Sequence, residues 1–251
     1  MLELSPMFFL VAAPAVTFAG ISKGGFGSGA AFAAATILAL VIEPGQALGV
    51  MLPLLMLVDA ATLRPYWRRW SWPESRAMIL GGLPGVALGV AFYRAVDADT
   101  MRLLIGGIAV AFVLWQIGQR SGLIRPFERR LPVWAGLIAG AAAGFTSFVS
   151  HAGGPPAAVY LLSRQLDKTR YQASTVLIFW AINIFKFVPY AFLGMFTLQT
   201  ALADLLLAPF AILGAWLGVR AHWLVPERLF FGLTYALLLV TGGKLILDGL
   251  A

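Results

Sequence analysis

From residue 6 to residue 248 the chain is a near-unbroken succession of apolar stretches, separated only by short basic loops and by two glycine-rich interruptions. The stretches run over 6–22, 29–42, 47–63, 76–94, 101–118, 133–149, 152–162, 173–193, 201–219 and 229–248. A bilayer core is about 30 Å thick and takes about 20 apolar residues per helical crossing, so the pattern predicts an all-α integral membrane protein with about eight transmembrane elements. Composition agrees: 60% of the 251 residues are hydrophobic and 12% charged, too little charge to clothe a soluble domain. Met1 to Phe9 carries Glu3 and no basic residue, unlike the basic start of a cleaved signal, so the N-terminus is read as structure. With no cysteine, disulfides, thiolate metal sites and thiol catalysis are excluded together.

The two interruptions are alike. Residues 6–42 are broken by Ser22-Lys23-Gly24-Gly25-Phe26-Gly27-Ser28-Gly29, and 133–162 by Ser150-His151-Ala152-Gly153-Gly154-Pro155-Pro156. Each block reads as a hairpin of two helices, at least one too short to span. If each hairpin returns to its starting side, the connections bearing Arg64, Arg68, Arg69 and Arg76, then Arg120, Arg125, Arg129 and Arg130, then Arg164, Lys168 and Arg170, and finally Arg220 to Arg228, all fall on one face. That face holds 13 of the 18 Lys and Arg. The positive-inside rule makes it cytoplasmic, and both termini of this multi-pass chain are expected in the periplasm of a bacterial inner membrane. Topology thus accounts for the net charge of +7, and Trp67, Trp70 and Trp72 read as an interfacial belt; no nucleic acid partner is expected.

The halves also resemble each other. Gln46-Ala47 pairs with Gln172-Ala173, Pro84 and Gly89 with Pro209 and Gly214, and Arg102 and Gly106 with Arg228 and Gly232. The division is a first repeat over 1–120 (hairpin 6–42, spans 47–63, 76–94 and 101–118) and a second over 131–251 (hairpin 133–162, spans 173–193, 201–219 and 229–248). A broken hairpin plus three spans reverses the entry side of the second half, giving two inverted repeats, an arrangement suited to alternating access around a midplane site.

The candidate substrate site follows from the breaks. Gly24, Gly25 and Gly27, with Ser28 and Gly29 after them, either expose backbone N–H groups to an anion at a helix start or permit close helix packing; the site reading is preferred. Lys23 is either a direct ligand or a side chain reaching toward a surface. Ser147, Ser150, His151, Gly153 and Gly154 form the matching set in the second half. His151 either donates to the anion or exchanges a proton, with backbone capping as the plainer alternative. Asn183 and Lys186 share a helix face, and Lys186 is a functional or a snorkelling lysine. Asp59 is expected to bridge to Arg64 or Arg68, with a coupling role as the alternative, and not to pair with Lys186. Gln46 and Gln172 open their spans beside the hairpins. His222 is assigned to a cytoplasmic loop, leaving His151 without a metal partner. No metal, no cofactor and no nucleotide are expected, since Gly24 to Gly29 lacks a phosphate-loop ending.

On these motifs the chain resembles the sulfite exporter TauE/SafE family, also called the toluene sulfonate uptake permeases. The resemblance covers nearly the whole chain. It rests on Gly20-Ile21-Ser22-Lys23-Gly24-Gly25-Phe26-Gly27, on Gly144-Phe145-Thr146-Ser147-Phe148 through His151-Ala152-Gly153-Gly154-Pro155-Pro156, and on Leu166-Asp167-Lys168-Thr169 with Asn183, Lys186 and Pro189-Tyr190. It implies a secondary transporter, not an enzyme, for sulfite, sulfoacetate or another organosulfonate, importing or exporting. The expected partners are the anion and membrane lipid, with homodimerisation left open. A passive anion channel and a non-transporting assembly subunit are the rival readings.

Overall fold

The computed structural model describes residues 4–26, 31–123, 130–224 and 227–251. Among them are ten α-helices. The first block gives α1 (Pro6–Ile21), prolonged by a π-helical turn over Ser22–Phe26, and the short α2 (Phe32–Leu38). Then come α3 (Pro44–Leu63), α4 (Trp72–Ala95) and α5 (Ala98–Arg120). The second block gives α6 (Ala135–Ser150) and α7 (Gly154–Ser163), followed by α8 (Lys168–Phe192), α9 (Leu198–Leu224) and α10 (Glu227–Leu250). Among the described residues six helical segments are long and apolar enough to cross a membrane: Pro6–Phe26, Pro44–Leu63, Trp72–Ala95, Ala98–Arg120, Lys168–Phe192 and Leu198–His222. A shorter apolar helix, Ala135–Ser150, accompanies them.

Local chemistry sets the helix starts. Pro6, Pro44 and Pro73 stand in first turns, where a missing N–H costs nothing. The Ser5, Asp97 and Asp167 side chains accept from Phe8, Thr100 and Arg170 N–H at 3.2, 2.8 and 2.9 Å. The gap between the apolar stretches 76–94 and 101–118 shrinks to Val96 and Asp97, because the Asp97 cap lets α5 begin directly after α4.

Glycine decides how the helices cross. On α4, Gly81 and Gly85 face the backbone of Leu137 and Ala141 of α6, while Gly140 and Gly144 face Met78 and Gly82 in return. On α9, Gly214 and Gly218 face Thr17 and Ile21 of α1, and Gly20 and Gly24 face Ala215 and its neighbours. Both crossings run parallel, and both let backbones touch as small-residue motifs do in lipid. A Cβ on Gly144 would lie 3.0 Å from the Gly82 Cα, whereas one on Gly107 would meet nothing within 4 Å. Gly144→Val should therefore lower stability in detergent by about 1–3 kcal/mol, and Gly107→Ala should raise it by about 0.5–1 kcal/mol. Indistinguishable melting curves for the two variants would contradict this packing.

These directions fix where the two blocks point. Since α1 runs alongside α9, the π turn lies level with 214–219, near the end of α9 that leads to the basic connections. Since α6 runs alongside α4, the break after Ser150 lies beyond Gly89, near the opposite end of the bundle.

Candidate functional site

The first interruption differs from its expected form. Instead of exposing N–H groups at a helix start, Gly24 and Gly25 continue α1 as a π turn, so the groups that emerge are C-terminal carbonyls. Each of the three carbonyls has a donor from a different part of the chain. Gln172 Nε2 of α8 donates to Lys23 O at 2.6 Å, Tyr66 OH from the α3–α4 connection to Gly24 O at 2.8 Å, and His222 Nδ1 of α9 to Gly25 O at 2.7 Å. The reason is steric as well as polar. A Cβ on Gly24 would meet Ala215 O at 2.7 Å and one on Gly25 would collide with the Gly218 backbone, so both glycines serve helix packing. Gly27 and Ser28 lie outside the described residues.

The second interruption turns sharply. His151 adopts a left-handed conformation at φ 56°, tolerable for histidine. Its N–H donates to Ser147 O at 3.0 Å, and Ala152 N–H donates to Thr146 O at 3.2 Å. Ser150 is buried with its hydroxyl donating to Thr146 O. Gly153 caps α7 and Gly154 opens it, but Pro155 and Pro156 follow without N–H groups, leaving this helix start poor in backbone donors. A Cβ on Gly153 would meet the Phe179 ring at 2.6 Å.

What the breaks bring together is side chains. Lys23, Ala31, Leu55, Ser147, His151, Phe179 and Asn183 line a small cavity of about 10 Å³ among buried side chains, room for about one water. Lys23 Nζ pairs with Asp59 Oδ1 at 2.6 Å, and Asn183 Nδ2 donates to Asp59 Oδ2 at 2.7 Å. Asp59 therefore turns inward to Lys23 and away from the expected Arg64 or Arg68, because a fully buried carboxylate needs a cation and a donor at its own depth.

Lys186 is completely buried, which excludes the snorkelling alternative. Its Nζ reaches Ser147 O and Oγ, both at 3.0 Å, and His151 Nδ1 at 2.8 Å. The far side of the imidazole settles the tautomer. Nε2 lies 3.2 Å from Leu48 O, which can only accept, so Nε2 carries the hydrogen and Nδ1 accepts from the lysine. Lys186 thus stands one hydrogen bond behind the cavity lining, held wholly by neutral acceptors. The cluster contains two lysines for one aspartate, all three buried.

Gln46 is partly buried at the start of α3, two residues before the Leu48 whose carbonyl meets His151, and its repeat counterpart Gln172 bonds the first break directly. The sequence names Tyr190 and His222 without their roles here and does not point to Tyr66 at all. Tyr66 and His222 hold the π turn, and Tyr190 OH donates to Phe148 O at 2.5 Å while its ring packs against His151. His222 is a buried residue of α9 and not part of a loop. The Pro189-Tyr190 pair was visible in the sequence; nothing local announced Tyr66 or His222. Among the described residues no group of three His, Asp or Glu side chains is placed to hold a metal ion.

No curated protein and no solved structure matches the chain. The family model described as Sulfite exporter TauE/SafE matches residues 12–245.

Proposed function

We propose that this chain, which belongs to the TauE/SafE sulfite exporter family, carries a small sulfur-containing anion such as sulfite or an organosulfonate by alternating access. The family is one of membrane transporters and not of enzymes, and a helical bundle with six described segments long and apolar enough to span fits a multi-pass membrane protein. The observation that carries the finer reading is the small buried cavity where both interruptions meet, with the amines of Lys23 and Lys186 gathered about the carboxylate of Asp59 and the neutral imidazole of His151. Buried amine donors that outnumber the carboxylates beside them are stabilised by an anionic guest. At about 10 Å³ the cavity is too small for such an anion as it stands. An anion of several heavy atoms enters only if the two breaks separate, which ties occupancy to conformational change.

The inverted-repeat division at 1–120 and 131–251 is supported by matching contacts. The crossing of α4 on α6 has its counterpart in α9 on α1, each parallel and each glycine-lined, and the two breaks approach the cavity from opposite ends of the bundle. On the positive-inside rule the end carrying Arg64, Arg164 and Arg220 faces the cytoplasm of a bacterial inner membrane, with both termini in the periplasm.

The test is a thermal-shift screen of the purified protein with sulfite, thiosulfate, sulfoacetate, taurine and carboxylate controls, followed by uptake into proteoliposomes. The expected result is selective stabilisation by a sulfur oxyanion and saturable uptake of that anion. Flux that never saturates would indicate a channel, and no stabilisation by any anion would remove the carrier reading.

A further inference from the structure

The N-terminal turns of α3 and α8 touch the two breaks in a crossed pattern. At the basic end of the bundle, Gln172 of α8 reaches back to the first half and donates its amide to Lys23 O at 2.6 Å. At the opposite end the start of α3 meets the second half, with Leu48 O 3.2 Å from His151 Nε2. The ionisable pairs correspond as well. Lys23 of the first break bonds Asp59 on α3, the span that follows its hairpin, and His151 of the second break bonds Lys186 on α8, the span that follows its own. Gln46 and Gln172 therefore hold one position relative to two pairs of the same build.

The two glutamines are nonetheless in different states. Gln172 is 1% exposed and bonded to a break. Gln46 is partly buried, and among the described residues its amide makes no hydrogen bond. Nor does any described group donate to His151 O, because the residue that would do so in an unbroken helix is Pro155, which has no N–H. A spare amide and a spare carbonyl thus occur on neighbouring elements at one end of a bundle set in lipid, where polar backbone must find partners within the protein.

Gln172 also stands at a boundary. A concavity of about 380 Å³ at the basic end has Gln172 and Gly25 in its wall, while the Lys23 that Gln172 holds lines the small central cavity. Releasing this one hydrogen bond frees the turn that separates the two spaces.

We infer that Gln172 and Gln46 are reciprocal latches: Gln172 on Lys23 O closes the basic end in the described state, and opening that end frees Gln172 while the Gln46 amide closes on His151 O at the other. The inference rests on the carrier reading with its inverted repeats, and it names the residues that hold each conformation. Inverted halves can exchange roles in this way. Each state keeps one amide–carbonyl bond, so neither is favoured by number of bonds, as a carrier that visits both requires.

The chain has no cysteine, so Leu55→Cys in the central cavity is a single reporter thiol. Its labelling by a charged, membrane-impermeant methanethiosulfonate is followed in right-side-out and inside-out vesicles, which present the two ends separately. Gln172→Met removes the donor at similar volume. It should speed labelling from the basic end relative to the opposite end by about tenfold, the factor that corresponds to one hydrogen bond left unmade. Gln46→Met should shift the same ratio about tenfold the other way, and the double variant should return close to the parent. Since the Gln46 amide bonds nothing in the described state, its variant should melt with the parent, and its shift is readable even where Gln172→Met folds poorly.

Ratios that move the same way in both single variants, or a Gln46→Met ratio equal to the parent's, would overturn the latch assignment. Saturable anion uptake by the wild-type protein would then leave the carrier reading standing. Labelling from one end alone in every protein, together with anion flux that never saturates, would overturn both.

Discussion

Asp59→Leu alone should destabilise the protein by about 3–5 kcal/mol, and Lys23→Met alone by a similar amount, because each strands a buried charge. The two together should recover most of that loss. Lys23 and Asp59 are 4% and 0% exposed and 2.6 Å apart, so neither charge has water to fall back on. Replacing both by apolar groups of similar volume removes the desolvation penalty along with the attraction. Asn183 limits the recovery, since its amide loses the carboxylate oxygen it now bonds at 2.7 Å. The measurement is thermal or denaturant unfolding of the four proteins in one detergent. Additive losses in the double variant would mean that the pair is not coupled as the distances indicate. Anion binding should not return with the stability, because the Lys23 ammonium lines the cavity and methionine cannot replace its charge.

The helical class and the placement of most spans were legible because lipid imposes a coarse rule, about 20 apolar residues per crossing, that single residues seldom violate. The basic connections were legible for a similar reason. The interior of the first interruption was not. Four nearby glycines suggest a turn with exposed N–H groups, but Gly24 and Gly25 are small because α9 presses on them, and the contact with Ala215 and Gly218 joins residues some two hundred positions apart. The donors to the π-turn carbonyls share that remoteness: His222 meets Gly25 from the far half of the chain, and no local pattern marks it. Asp59 was placed on its helix correctly but given the wrong partner. Sequence proximity favoured Arg64 and Arg68, whereas burial depth selected Lys23. His151 and Lys186 were singled out because an ionisable group inside a hydrophobic span is itself informative. Their contact through Nδ1, which sets the tautomer, needed the fold.

Lys186→Met should separate binding from stability in a way that the Lys23 variant does not. Among the described residues no carboxylate pairs with Lys186; its hydrogen bonds go to Ser147 O, Ser147 Oγ and His151 Nδ1. Removing the ammonium leaves no stranded counter-charge. The cost is the loss of hydrogen bonds to neutral groups, about 1–3 kcal/mol for those left unsatisfied, offset by no longer burying a cation among apolar helices. The unfolding midpoint should therefore move less than in Lys23→Met. Affinity for the anion should fall by about 100-fold, the scale expected when one member of a desolvated, hydrogen-bonded charge pair is deleted. Lysine at this position can turn from Ser147 and His151 toward a guest in the cavity they line, whereas methionine has no proton to offer. The two quantities are read on the same preparations, by unfolding in detergent and by equilibrium binding of sulfite. A Lys186→Met protein that unfolds as readily as Lys23→Met yet binds the anion with wild-type affinity would reverse the roles of the two lysines and return Lys186 to the frame of the bundle.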